Sequence, residues 1–161
     1  NYHINSQKKK IIFSLKVRKI VKNNMKLNSY KIAENIQKKL IGKVVKRSNL
    51  EVHKKMRWKN LKKILSEKDF DIGAHSKGHE MLTKLGDKQV AKDILQCKKV
   101  IKKKLNYIPA HFAYPDGQSN HFSSKIIRLL KKNGFISSPT AIQGLNSINT
   151  SPFMLKRFFA Y

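Results

Sequence analysis

A chain of 161 residues is long enough for one compact domain and short for two, and its 40% hydrophobic content excludes wholesale disorder. The 36 Lys+Arg against 9 Asp+Glu give a formal net charge of +27, which suits an anionic partner but equally follows from a coding drift toward Lys, Asn and Ile. A single cysteine, Cys97, excludes an intrachain disulfide and a cysteine-built zinc cluster, and no apolar run nears the length that spans a bilayer.

The drift is the favoured reading of the charge. Arginine, the residue that reads base edges through a planar fork, stands only at Arg18, Arg47, Arg57, Arg128 and Arg157. Residues 1–55 carry lysines in nearly every turn and are expected to form a Lys-rich segment of their own, helical or partly disordered. Ile11–Leu15 follows three lysines as a secretion signal would begin, but it is too short and Lys16 interrupts it, so no export signal is read. From Ser29 to Leu40 a weak helical period puts Ile32, Ile36 and Leu40 on one face. A solvated basic helix explains that stretch more simply than a dedicated binding arm.

Residues 56–161 are expected to form the folded domain, because the pattern sharpens from Met56. Trp58, Leu61, Ile64 and Leu65 recur at helical spacing, with Lys59, Lys62 and Lys63 on the other face. Phe70 to His75 reads as a buried strand. Asp87 is the expected N-cap of the clearest helix, whose apolar stripe is Val90, Ile94, Cys97, Ile101 and Leu105. Cys97 is accordingly a small core residue. Tyr107-Ile108-Pro109 ends that helix, and His111 to Tyr114 reads as the next strand. Pro115-Asp116-Gly117 is a turn. A second amphipathic helix runs from Ser123 to Asn133, with a left-handed cap signal at Asn133-Gly134. Phe135 to Ser137 and Phe153 to Leu155 are further short strands. Helix alternating with strand is the grammar of a parallel α/β domain, in which chemistry gathers at the C-terminal ends of the strands.

His75 closes one such strand, and His79 follows four residues later in H-S-K-G-H. A tight turn puts residues so spaced on one side, and two neutral imidazoles converging there suit a divalent metal such as zinc. Two histidines at this spacing are also a common surface accident, so the neighbouring sequence has to decide.

D-I-G-A-H-S-K-G-H-E-M-L resembles the metal-binding motif of the polysaccharide deacetylase family, the NodB type of carbohydrate deacetylase. Further on, H-F-A-Y-P-D-G-Q resembles that family's next motif, L-L-K-K-N-G-F the helix and strand after it, and P-F-M-L-K-R its late Leu-x-Arg strand. Upstream, M-R-W-K-N-L-K-K-I-L resembles the helix entering the metal strand. The resemblance covers Met56 to Arg157, the second half of such a domain. It implies an α/β fold, a distorted and incomplete (β/α) barrel. It implies metal-dependent hydrolysis of acetyl groups, held by amide or ester bonds, from a sugar polymer or sugar-lipid. Acetylated carbohydrate is then the partner and a divalent metal, zinc, the cofactor. The family's metal ligands fall on His75 and His79, and its loop-organising hydroxyl falls on Ser76. Its substrate groove falls on Tyr114 and Pro115. The backbone N–H that helps hold the oxyanion falls on Asp116.

The family opens on an Asp-Asp-Gly motif that supplies a general base and a metal ligand. Here the acids before His75 are Glu34, Glu51, Glu67, Asp69 and Asp71, and none lies in such a motif. Four residues of strand put Asp71 roughly 13 Å from His75. The late catalytic histidine of many members is also missing, since no histidine follows His121. A divergent inactive member, a piece of a longer chain and a gene scrambled or frame-shifted upstream each account for this, and the sequence leaves all three open. Two further readings stand beside the enzyme. One is an inactive carbohydrate-binding relative. The other is a basic protein that binds nucleic acid or a membrane surface, driven by its Lys-rich N-terminal third.

Overall fold

The computed structural model describes residues 5–24, 27–44 and 55–158. The chain divides into two compact units, Asn1–Lys55 and Met56–Tyr161.

The first unit holds helices α1 (Gln7–Asn23) and α2 (Ser29–Ile41). The Ser6 hydroxyl caps α1 by accepting from the Lys9 N–H, and the Asn28 side-chain Oδ1 caps α2 by accepting from the Lys31 N–H at 3.0 Å. Phe13, Val17 and Val21 face Ile32, Ile36 and Leu40 across a groove of about 630 Å³. The face expected at Ile32, Ile36 and Leu40 is therefore the one α2 presents. No residue of α1 is buried, so this pair of helices carries little core of its own.

In the second unit, α3 (Trp58–Ser66), α4 (Asp87–Leu105) and α5 (Ser124–Lys132) alternate with short extended segments. Helix α4 buries Val90, Ile94, Cys97, Ile101 and Leu105, the stripe its sequence predicts, and both α3 and α5 pack on it. Its N-cap is Gly86 rather than Asp87. The Gln89 side chain reaches back to the Gly86 N–H at 3.2 Å and does the capping work, which frees the Asp87 carboxylate to pair with Lys125. Asn106, left-handed at φ 53, stops the helix. Ser123 caps α5, and Gly134 at φ 74 supplies the left-handed turn that closes it.

The expected strands are present as single parallel bridges rather than long ladders. Ala74 pairs with Phe112, His111 with Ser137 and Pro139 with Leu155, so four segments lie side by side in chain order, all pointing one way. The Ala74 N–H donates to His111 O and the Ala113 N–H to Ala74 O, both at 2.8 Å. Proline explains part of the brevity. Pro109 and Pro115 bracket the second segment and Pro139 sits in the third, where each removes a ladder donor. Two expectations change here. Phe70 to His75 is buried only at Ala74, with Phe70 64% exposed. Pro152–Met154 is a 3₁₀ turn, and only Leu155 of the last expected strand pairs. No helix among the described residues is long and apolar enough to cross a membrane.

Candidate metal centre

Because Ala74 and Phe112 pair in parallel, the residues that follow each of them emerge at the same end of the segments. His75 emerges there beside Ala113 and Tyr114. Its Nδ1 lies 2.8 Å from the Ala113 carbonyl, which can only accept, so Nδ1 is the donor of this bond. This is how ligating histidines are commonly held, one nitrogen on a main-chain oxygen and the other free for the metal. The His79 ring stands edge-on to it, with centroids 4.8 Å apart and planes at 77°. Both rings are exposed.

The loop between them is backed by helix α4. The Ser76 hydroxyl accepts from the His79 N–H at 2.8 Å. Asp93 accepts from the Lys77 N–H at 3.0 Å and the Gly78 N–H at 3.1 Å, one to each carboxylate oxygen. Cys97, one turn further along α4, receives a main-chain hydrogen bond from His75, while burial pushes its thiol pKa up. Sequence reasoning missed Asp93. Its signal is an acid at helical spacing within the stripe Val90, Ile94, Cys97, a place where a carboxylate needs N–H partners.

Tyr114 and Pro115 reach the same end, but their side chains face the core. Tyr114 is 2% exposed, stacks on Phe122 at 4.7 Å and donates to the Phe153 carbonyl at 3.0 Å. Burial raises its phenol to about 12. Both residues would act on a groove only through the backbone they hold. Asp116 follows at φ 59, half-buried, and Gly117 at φ 63 lies so close to the next loop that a Cβ would come within 2.7 Å of the Ala141 nitrogen. His121 is buried, and its Nδ1 accepts from the Gln118 N–H at 3.2 Å.

Asp71 takes no part in this end. Tyr107 donates to its carboxylate, and His111 lies 3.7 Å away. His75 and His79 are the two side chains at this end whose chemistry suits a divalent metal. The described residues contain no group of three His, Cys, Asp or Glu side chains that could hold a metal ion.

The sequence profile of the polysaccharide deacetylase family matches residues 17–136, about three quarters of the chain. The chain belongs to the polysaccharide deacetylase family. The match begins within α1, well before Met56, and ends at Ile136. Among solved structures the fold is similar to the Streptococcus pyogenes deacetylase PplD in complex with acetate, at TM-score 0.58 and 18% identity, over 63% of this chain and 43% of that one. It is also similar to IcaB from Ammonifex degensii, at TM-score 0.56 and 18% identity, over 69% of this chain and 51% of that one. The chain thus spans about half the length of these relatives. A search of curated proteins finds no match. The fold is therefore of the NodB deacetylase type, and the family's substrates are acetylated carbohydrates.

Proposed function

We propose that residues 56–161 carry the histidine half of a carbohydrate deacetylase centre, in the latter part of an incomplete barrel, with His75 and His79 as ligands to a divalent ion, zinc. The observation that carries this reading is the His75 Nδ1 bond to Ala113 O, which commits Nδ1 and leaves Nε2 as the nitrogen for a metal, with the His79 ring 4.8 Å away at the end of the parallel segments. When bound, such an ion polarises an acetyl carbonyl and lowers the pKa of water. Ser76 supports the histidine loop, Tyr114 and Pro115 hold the groove backbone, and the Asp116 main-chain N–H helps hold the oxyanion. The substrate would be an amide- or ester-linked acetyl group on a sugar polymer or sugar-lipid.

Two ligands hold zinc less tightly than the three that catalytic zinc sites usually provide. The chain also lacks an Asp general base in the family's motif, a role worth about a hundredfold to ten-thousandfold in rate. Deacetylation by this chain alone is expected at or near background, with weak zinc binding that disappears in His75→Ala and in His79→Ala. Zinc titration beside acetate release from acetylated oligosaccharides tests both statements. Brisk zinc-dependent turnover lost in either variant would mean an acidic ligand exists, and Glu34, Glu51 and Asp116 would be the residues to substitute next. The donor count favours one second reading, a relative that binds acetylated carbohydrate without turning it over. The Lys-rich surface adds non-specific anion binding to either.

A further inference from the structure

We propose that Asp93 is a positioning residue for the histidine pair, acting by gripping the loop between His75 and His79 from helix α4. The loop needs an external hold. Ser76 at φ 58 and His79 at φ 54 both adopt the left-handed conformation that L side chains rarely visit, and such backbone persists only where its surroundings over-determine it. The Ser76 hydroxyl supplies one restraint inside the loop. Asp93 supplies two from outside, one carboxylate oxygen on each of two successive amides, Lys77 and Gly78. A charged acceptor on two N–H donors makes stronger bonds than a neutral one. Neighbouring residues of α4 add to the grip, because Gln96 accepts from Lys77 Nζ at 3.0 Å and Cys97 meets the His75 main chain.

The helix is a firm base. Ile94, next to Asp93, is 0% exposed, and Cys97 is 7% exposed. Asp93 acts by holding rather than by ligating, since both its oxygens are engaged by amides and no three-ligand group forms among the described residues. Its consequence for metal affinity rests on the histidine-pair reading above. Its grip on the loop does not.

The test uses the full chain with Asp93→Ala and Asp93→Asn. In the metal-free protein, amide hydrogen exchange at Lys77 and Gly78 should quicken in Asp93→Ala while the amides of Ile94 and Ile101 stay protected. Asp93→Asn keeps one acceptor oxygen, so it should release one of the two amides, and it serves if the alanine variant fails to fold. Zinc titration should show apparent affinity falling about tenfold to a hundredfold in Asp93→Ala, the usual effect of removing an outer partner of a ligand. Unchanged exchange at Lys77 and Gly78 in Asp93→Ala overturns the grip. Unchanged zinc affinity beside quickened exchange overturns the positioning role. If the unsubstituted chain binds no zinc, the histidine-pair reading falls, and the exchange arm alone decides whether Asp93 holds the loop.

Discussion

Asp71 stands four residues before His75, yet its partners are Tyr107 and His111. The Tyr107 hydroxyl, which donates to it, holds its carboxyl below the ordinary carboxylate range, while burial and that same carboxylate push the Tyr107 phenol up to about 12. A carboxyl depressed in the folded state contributes stability above its unfolded pKa of about 4, and that contribution is lost as pH falls through the lower folded value. Tyr107→Phe should therefore cost stability at neutral pH and progressively less in acid. The Asp71 side chain is 49% exposed, so solvent screening limits the neutral-pH cost to about 1 kcal/mol or less. Urea unfolding of both proteins across that pH range reads the difference. A gap that stays constant from neutral pH to below about pH 3 would show that the hydroxyl acts through packing alone.

Helix α4 offers a sharper contrast because its two faces have different neighbours. Ile94 is 0% exposed and touches the core, whereas Leu95, the next residue, is 42% exposed. Ile94→Ala should cost about 2–5 kcal/mol and Leu95→Ala about 0.5 kcal/mol, measured as shifts of the urea midpoint at unchanged slope. Equal costs would mean that the helix does not face the core as described. The α4 stripe was legible in sequence because about four turns of regular spacing average out local exceptions. Helix α1 was not, because Lys8, Lys10, Lys16, Lys19 and Lys22 interrupt its apolar residues on every side. The extended segments were legible in place but not in length, since a sequence pattern does not show where a ladder finds its partner. The same distinction governs the site. His75 and His79 lie close along the chain, so spacing reveals them. The Asp93 contacts join residues 15 and 16 positions apart, and only the docking of α4 against the loop brings them together.

For the molecule as a whole, the positive charge falls on both units and most densely on the first. Sixteen basic against two acidic residues precede Met56, and twenty against seven follow it, so the first 55 residues carry as large an excess as the other 106. A chain that repels itself on this scale should gain stability as salt screens it, because the screening length falls from about 30 Å at 0.01 M to about 3 Å at 1 M. Raising sodium chloride from about 0.02 M to about 0.5 M should raise the melting temperature by several °C. Binding to a polyanion should move the opposite way, since neutralising each phosphate releases counterions and affinity falls with salt at a slope of about −0.7 to −0.9 per contact. Thermal melts and titrations against a single-stranded oligonucleotide of mixed sequence, in the same salt series, measure both. Diffuse lysines predict weak, sequence-independent binding that fades while stability climbs. Tight binding to one defined sequence that survives about 0.15 M salt would instead require a built recognition surface, and would make nucleic acid a specific partner of this deacetylase-family chain.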